Sequence, residues 1–273
     1  MTNAPRPPDV PYTHGHHESV LRSHRWRTAE NSAAYLLGHL GPGMTLLDVG
    51  CGPGTITCDL ARRLVPGLVV GVDASGEGVA EARAAAAEAG VGTVDFEVGD
   101  VYRLRFGDGT FDVVHAHQVL QHLGDPVAAL VEMARVCRSG GLVAVRDSDY
   151  PAMRYFPDDP DLSRAFSAYG ELTRMNGAQW DAGRRLLGWA RSAGFTDVVP
   201  SASVWCFATP GDRTWWGGLW ADRFTHSALA DQLLSHGLAG PEDLSAFASA
   251  WHRWAADPDG WFAVLHGEVL CRV

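Results

Sequence analysis

The sequence predicts an α/β fold: a doubly wound, mostly parallel sheet with helices on both faces. Three observations predict it. Short apolar runs alternate with helix-periodic segments from residue 41 to residue 150, the pattern of parallel strands joined by crossover helices. The first run, Leu46-Leu47-Asp48-Val49, passes directly into Gly50-Cys51-Gly52-Pro53-Gly54-Thr55 and then into the apolar-periodic Ile56 to Leu64. That is a buried strand, a tight glycine turn and a helix. A second run, Leu68 to Val72, ends in an acid, Asp73, about 20 residues beyond the glycine turn, where an acid can accept ribose hydroxyls. Glycines allow positive φ and close approach of a ligand to the backbone. The helix behind the turn offers free N–H groups. A small molecule is therefore expected across Gly50 to Gly54.

In chain order, residues 1–11 are rich in proline and polar residues and are expected to be disordered. Tyr12-Thr13-His14-Gly15-His16-His17 follows. Its three histidines suggest a metal, but no acid or cysteine joins them at metal spacing, so an entry loop or lid is the favoured reading and no metal is expected. Ser19 to Leu40 is helical in pattern, and Thr28, Asn31 and Ser32 divide it into two helices. Strands are expected near 45–49, 68–72, 94–98, 111–115 and 141–147, and helices near 55–65, 76–89 and 126–138. The alanine-rich Glu77 to Ala89 is a strong helix former. Gly140-Gly141 makes the turn into the fifth strand.

Beyond Asp147 the pattern changes. Tyr150-Pro151 to Asp158-Asp159-Pro160 reads as a turn-rich loop, and Leu162 to Met175 and Asp181 to Ala193 as helices. Val198 to Phe207 is a sixth strand. Residues 211–256 are helical and dense in tryptophan: Trp215, Trp216, Trp220, Trp251 and Trp254. Trp261 to Val273 alternates as a last strand. The plan is one domain over 1–273, with a core at about 41–150 and 179–210 plus 259–273. Helical lid or acceptor segments fall at about 12–40, 151–178 and 211–258. The tryptophans can line an apolar pocket or pack the added lobe.

Composition excludes several functions. The net charge is −10 and the arginines are scattered among acids, so the basic footprint of a nucleic-acid binder is missing. All 22 basic residues are arginine, which removes lysine bases and Schiff-base chemistry. Cys51, Cys58, Cys137, Cys206 and Cys271 form no C-x-x-C pair and read as reduced thiols of a cytoplasmic protein. No basic-then-apolar leader opens the chain, and no apolar run of about 18 residues could span a membrane.

The dinucleotide fingerprint G-x-G-x-x-G needs glycine at position 55, where Thr55 stands, and this disfavours a nicotinamide dehydrogenase. Gly50-x-Gly52-x-Gly54 preceded by Asp48 instead resembles the first motif of class I S-adenosylmethionine (SAM) methyltransferases. Three further stretches extend the resemblance over about residues 46–150. They are Leu68 to Ser75, Phe96-Glu97-Val98-Gly99-Asp100-Val101, and Phe111 to Leu123. The resemblance implies a Rossmann-like seven-stranded sheet closed by an antiparallel hairpin of strands six and seven, here separated by a helical insert. It implies SAM as cofactor, with S-adenosylhomocysteine as product. Gly50, Cys51 and Gly52 would pass beneath the cofactor, Asp73 with Ala74 would meet the ribose, and Asp100 and Val101 would meet the adenine. Asp73 can alternatively cap the next helix. An N-terminal helix would fold over the cofactor, with Arg25 or Tyr12 at its carboxylate, unless Arg25 makes a surface salt bridge.

Methyl transfer needs two reactants aligned and kept dry, with a base only where the acceptor must lose a proton. Candidate bases are His117 and His122 after strand four, and Asp147 and Asp149 after strand five. His117 can instead touch the cofactor. His122 lies in Gln121-His122-Leu123-Gly124-Asp125-Pro126, similar to a recurrent family segment, and can serve the fold instead. The resemblance is greatest to small-molecule methyltransferases of quinone biosynthesis and natural-product tailoring. The expected acceptor is therefore a small apolar or aromatic metabolite, methylated on oxygen or nitrogen rather than carbon. The alternative is a SAM-binding relative that does not methylate, acting as a regulator or using SAM otherwise. No nucleic-acid partner and no membrane span are expected, and the chain would be a monomer or homodimer. Residues 12–30 and 211–256 are expected to close over the ligands.

Overall fold

In the computed structural model, which describes residues 18–273, eight strands form one sheet. They are β1 (Leu46–Val49), β2 (Val69–Asp73), β3 (Val94–Val98), β4 (Phe111–His117), β5 (Cys137–Ser148), β6 (Arg154–Phe156), β7 (Asp197–Phe207) and β8 (Trp261–Arg272). Their order is β3-β2-β1-β4-β5-β8-β6, and β7 pairs with β8. Strands β1 to β5 are parallel, and β8 runs antiparallel to β5 and β7. The chain steps outward from β1 to β3, returns, and steps outward the other way from β4. This reversal opens a crevice at the carboxyl ends of β1 and β4, the place where open α/β sheets bind ligands.

The expected seven strands are present, and the eighth is a correction. The segment read as a turn-rich loop contains β6, which pairs Arg154 with Ala263 and Phe156 with Trp261. The cause is tertiary. Pairing of β5 with β8 stops at Ser148 and His266, which leaves residues 261–263 of β8 a bare edge on that side. Buried backbone N–H and C=O groups require partners, and β6 supplies them. Strand β5 is also longer than expected, starting at Cys137 where α6 ends.

Eleven α-helices accompany the sheet among the described residues. They are α1 (Glu18–Arg25), α2 (Ala29–Ser32), α3 (Ala34–Leu37), α4 (Thr55–Leu64), α5 (Gly76–Glu88), α6 (Pro126–Val136), α7 (Pro160–Met175), α8 (Ala182–Ser192), α9 (Pro210–His226), α10 (Ala228–Ser235) and α11 (Pro241–Ala256). Three start on a side-chain cap followed by proline: Asp125-Pro126, Asp159-Pro160 and Thr209-Pro210. The cap satisfies free N–H groups and proline loses nothing at the first helical position. The N-terminal stretch is three short helices rather than two. Thr28 and Asn31 form a capping box that restarts the helix just after α1 ends.

Two kinds of core result. Aliphatic side chains of β1, β4 and β5 pack under α4, α6 and α8. A second, aromatic cluster joins α7, α9 and α11 to the β7–β8 hairpin. There Trp220 stacks on Trp251 at 5.6 Å, and Phe207 stacks on Trp216 at 4.2 Å. No described helix is long and apolar enough to cross a membrane.

Candidate active site

A cavity of about 850 Å³ lies at the carboxyl ends of the parallel strands. One end is the glycine turn. Gly50, Gly52 and Gly54 all have positive φ, at 70°, 51° and 76°. A Cβ at Gly50 would stand 2.3 Å from Val119 Cγ2, so only glycine fits between the turn and the segment after β4. The backbone N–H groups of Gly50 and Cys51 donate to Val72 O, which ties the turn to β2. Asp73, closing β2, is held by two backbone donors: Gly52 N to Oδ2 at 2.9 Å and Ser75 N to Oδ1 at 2.8 Å. Four lone-pair sites on a carboxylate leave capacity for two more donors. The cap of α5 is Ser75, not Asp73, because the Ser75 hydroxyl accepts from Gly78 N.

Asp48 serves the frame. It is buried, with Oδ1 2.7 Å from His115 Nδ1 and Oδ2 accepting from Thr57 Oγ1 at 2.5 Å. It thereby links β1 to β4 and to the first turn of α4. The Cys51 thiol is pushed up by burial and by the neighbouring Asp48 and Asp73 charges, which makes it inert rather than nucleophilic.

The other end is aromatic. Trp26, Tyr150, Met153, Trp205, Trp216 and Trp220 line it, with Arg27 and Arg223. Trp205 is fixed from several directions. Its Nε1 donates to Asn31 O at 2.6 Å, Trp26 meets it edge-on at 5.1 Å, and the Arg146 guanidinium lies 4.8 Å from its ring. Arg146, only 1% exposed, pairs with Glu268 at 3.2 Å. Burial lowers the Arg146 pKa to about 10, which still leaves it charged near neutrality.

Gln118 joins the two ends. It has φ +54°, the only positive φ outside glycine among the described residues. Its Oε1 accepts from Arg27 Nη2 at 2.7 Å and its Nε2 donates to Ser148 Oγ at 2.8 Å. Its Nε2 also lies 2.9 Å from His266 Nε2. His266 Nδ1 faces Val264 O, so His266 donates there and accepts from Gln118. Strained backbone of this kind persists where surrounding bonds hold it, and it concentrates at functional sites.

Of the residues named from sequence, Gly50, Cys51, Gly52, Asp73, Ala74, Asp100, Val101, His117 and His122 line the cavity. His117 closes β4 at 5% exposure, and neither ring nitrogen has a hydrogen-bond partner among the described residues. Burial, followed by the charges of Arg146 and Arg27, holds its pKa well below the usual histidine range. His122 ends a 3₁₀ turn over Leu120–His122 and lies beside Gln121 Nε2 at 3.0 Å. Burial lowers its pKa to about 3.

Arg25, Asp147 and Asp149 are not among the lining residues. Arg25 sits on the exposed side of α1, where it pairs with Glu18 at 2.8 Å and Glu81 at 2.6 Å. Asp149 accepts both forks of Arg184, at 2.6 and 2.7 Å. Asp147 is fully buried, and its Oδ1 accepts from Gln121 N at 3.1 Å, so it positions the turn that carries His122. Burial pushes its carboxyl up to about 7. Tyr12 and the histidines at 14, 16 and 17 lie outside the described residues. No group of His, Cys, Asp and Glu that could hold a metal ion occurs among the described residues.

Sequence reasoning missed Arg27, Gln118, Trp205 and Arg223. No local signal marks them, since they meet only through the fold. Trp216 and Trp220 do both things expected of the tryptophans, lining the cavity on one face and packing the aromatic core on the other.

Residues 40–194 match a protein family described as a methyltransferase domain. An uncharacterised methyltransferase of Schizosaccharomyces pombe is 35% identical over 268 residues, covering 95% of each chain. A probable methyltransferase of Aspergillus luteorubrus is 29% identical over 95% of this chain and 96% of its own. The crystal structure of the YcgJ protein from Bacillus subtilis superposes with a TM-score of 0.59 at 20% identity, covering 89% of this chain and 98% of that one.

Proposed function

The chain belongs to the methyltransferase domain family, and from that premise we propose that it moves a methyl group from SAM to a small apolar or aromatic metabolite, on oxygen or nitrogen. The observation that carries this reading is the single cavity of about 850 Å³ shared by the glycine turn and the tryptophan-lined wall. That volume lies in the upper part of the range of small-molecule sites, with room for two ligands side by side.

The residues present fit SAM. The Gly50–Gly54 turn has the positive φ values that let a ligand approach the backbone, and Asp73 keeps lone pairs for two hydroxyls. Asp100 and Val101 line the same end. We therefore assign Gly50, Cys51, Gly52, Asp73, Ala74, Asp100 and Val101 to the cofactor. When bound, SAM supplies a methyl carbon on a positively charged sulfur.

The protein's part is alignment and the exclusion of water. Trp205, held by Asn31 and Trp26, is a rigid wall for a flat acceptor. Segments 18–40 and 211–258 supply Trp26, Arg27, Trp216, Trp220 and Arg223, which supports their reading as acceptor segments. His117, which lines the cavity with both ring nitrogens unbonded among the described residues, is the candidate for contact with the reacting oxygen or nitrogen. His122 and Asp147 support the turn after β4, and Asp149 orients Arg184.

The test is purification of the protein with its co-bound small molecules, identification by mass spectrometry, and incubation of those compounds with methyl-labelled SAM. Label should appear in a low-mass acceptor. Retention of SAM with no label transferred to any compound would favour a non-methylating relative instead.

A further inference from the structure

We infer that the acceptor binds at the tryptophan end as an oxyanion, met by Arg27 and His117, and attacks without transferring a proton to the enzyme. This rests on the methyl-transfer reading above, and it names the class of acceptor.

The cavity is divided by charge. Its described carboxylates, Asp48, Asp73, Glu77, Glu81 and Asp100, all belong to the glycine-turn half. Gly52 N donates to Asp73 Oδ2, and Gly78 stands against the same turn, which fixes that half. Arg27 and Arg223 line the other half. Arg27 is aimed by its bond to Gln118, itself anchored on Ser148 and His266. Arg223 donates to Ser23 Oγ at 2.8 Å.

His117 supplies the second observation. It is buried, lines the cavity, and has both ring nitrogens without a partner among the described residues. Buried polar atoms of this kind are rare, and a ligand oxygen would satisfy one of them. His117 is also a poor base. Burial and the charges of Arg146, Arg27, His266 and His115 all disfavour its imidazolium form. Taking a proton would create a buried cation beside two guanidinium groups. The neutral ring can instead donate its N–H to an oxygen that has already lost its proton. The acceptor is then an oxygen acid ionised near neutrality: a carboxylic acid, or a phenol or enol of similar acidity.

The same geometry disfavours a cationic amine. Guanidinium groups already stand over the tryptophan rings, Arg146 at 4.8 Å and Arg27 at 5.8 Å from Trp205 and Arg223 at 4.8 Å from Trp220, and they would repel an ammonium. The step balances without a base. A lone pair of the anionic oxygen forms the new C–O bond to the methyl carbon while the C–S bond breaks and its electron pair stays on sulfur. One negative and one positive charge become a neutral ester or ether and a neutral thioether. Loss of opposite charges is favoured in a dry, low-dielectric cavity.

The test uses three isosteric probes titrated by calorimetry into the protein saturated with S-adenosylhomocysteine: 2-naphthoate, 2-naphthamide and 2-naphthylmethylammonium. Naphthoate should bind roughly 10- to 100-fold tighter than the amide, the range of a charge-assisted hydrogen bond, and the ammonium should bind weakest. Arg27→Gln should erase most of that preference with S-adenosylhomocysteine affinity retained, and Arg27→Lys should keep part of it. Equal binding of the amide, preference for the ammonium, or no binding of naphthoate would overturn the inference. If S-adenosylhomocysteine itself fails to bind, the methyl-transfer reading falls. If it binds and the carboxylate is not preferred, only this inference falls.

Discussion

The two ends of the cavity are built in different ways. The glycine-turn end is made of residues at the ends of neighbouring parallel strands: Gly50 to Pro53 after β1, Asp73 closing β2, Asp100 after β3. Its groups are backbone N–H and carboxylate. The tryptophan end is assembled from residues 26, 27, 117, 118, 148, 150, 153, 205, 216, 220, 223 and 264, and its groups are chiefly rings and guanidinium. One end is a property of the sheet. The other is a property of what has been added to the sheet. The difference teaches that the two ends can be altered separately: substitutions at the tryptophan wall need not touch the glycine turn.

The largest test of that division is on the aromatic lobe. Trp251 is fully buried, stacked on Trp220 and edge-on to Trp254. Trp251→Ala should cost about 3–5 kcal/mol of stability. Denaturant unfolding would read it. A loss far smaller than this would mean that the tryptophans are not the lobe's core.

A somewhat smaller effect belongs to the seam between the ends, where Asp147 holds the turn after β4. Its folded carboxyl is raised to about 7, whereas an unfolded one sits near 3.9. Between those values the native state keeps a proton that the unfolded state releases, so this residue makes stability fall as pH rises from about 4 to about 7. The buried histidines act in the opposite sense. His117 and His122 have lowered pKa values, so their contribution is lost as pH falls below the unfolded histidine value, about 6.5. The wild-type curve mixes the two. The difference between wild type and Asp147→Asn isolates one: the variant should lack the falling component between pH 4 and 7. Parallel curves would show that Asp147 is ionised in the fold throughout.

The same division explains what was legible in the sequence. Strand, glycine turn, helix and terminal acid are local patterns, and the chemistry that fixes them is local too: positive φ at three glycines and an acid at a strand end. Pairing is not local, so β6 was missed. It forms only because β8 extends past the end of β5. The arginine at the site illustrates the limit. Sequence left Arg25 open between a cofactor contact and a surface salt bridge; α1 turns it outward to Glu18 and Glu81, while Arg27, just past the helix end, reaches Gln118. Asp149 looked available at the end of β5, yet Arg184 from α8 takes both its oxygens. Partners far apart in the chain decide which of several similar side chains faces the ligand. Trp205 reads as one more residue of an alternating strand until Asn31, Trp26 and Arg146 are seen around it.

The most direct test of a two-ended cavity is calorimetric titration of S-adenosylhomocysteine into Asp73→Ala and Trp205→Leu, each shown by circular dichroism to be folded. Asp73→Ala removes the acid proposed to accept the ribose hydroxyls and should lose about 1.5–3 kcal/mol of binding, the cost of a charge-assisted hydrogen bond. Trp205→Leu alters the proposed acceptor wall, away from the glycine turn, and should bind within about 0.5 kcal/mol of wild type. Undiminished affinity in a folded Asp73→Ala, or an equal loss in Trp205→Leu, would contradict the account.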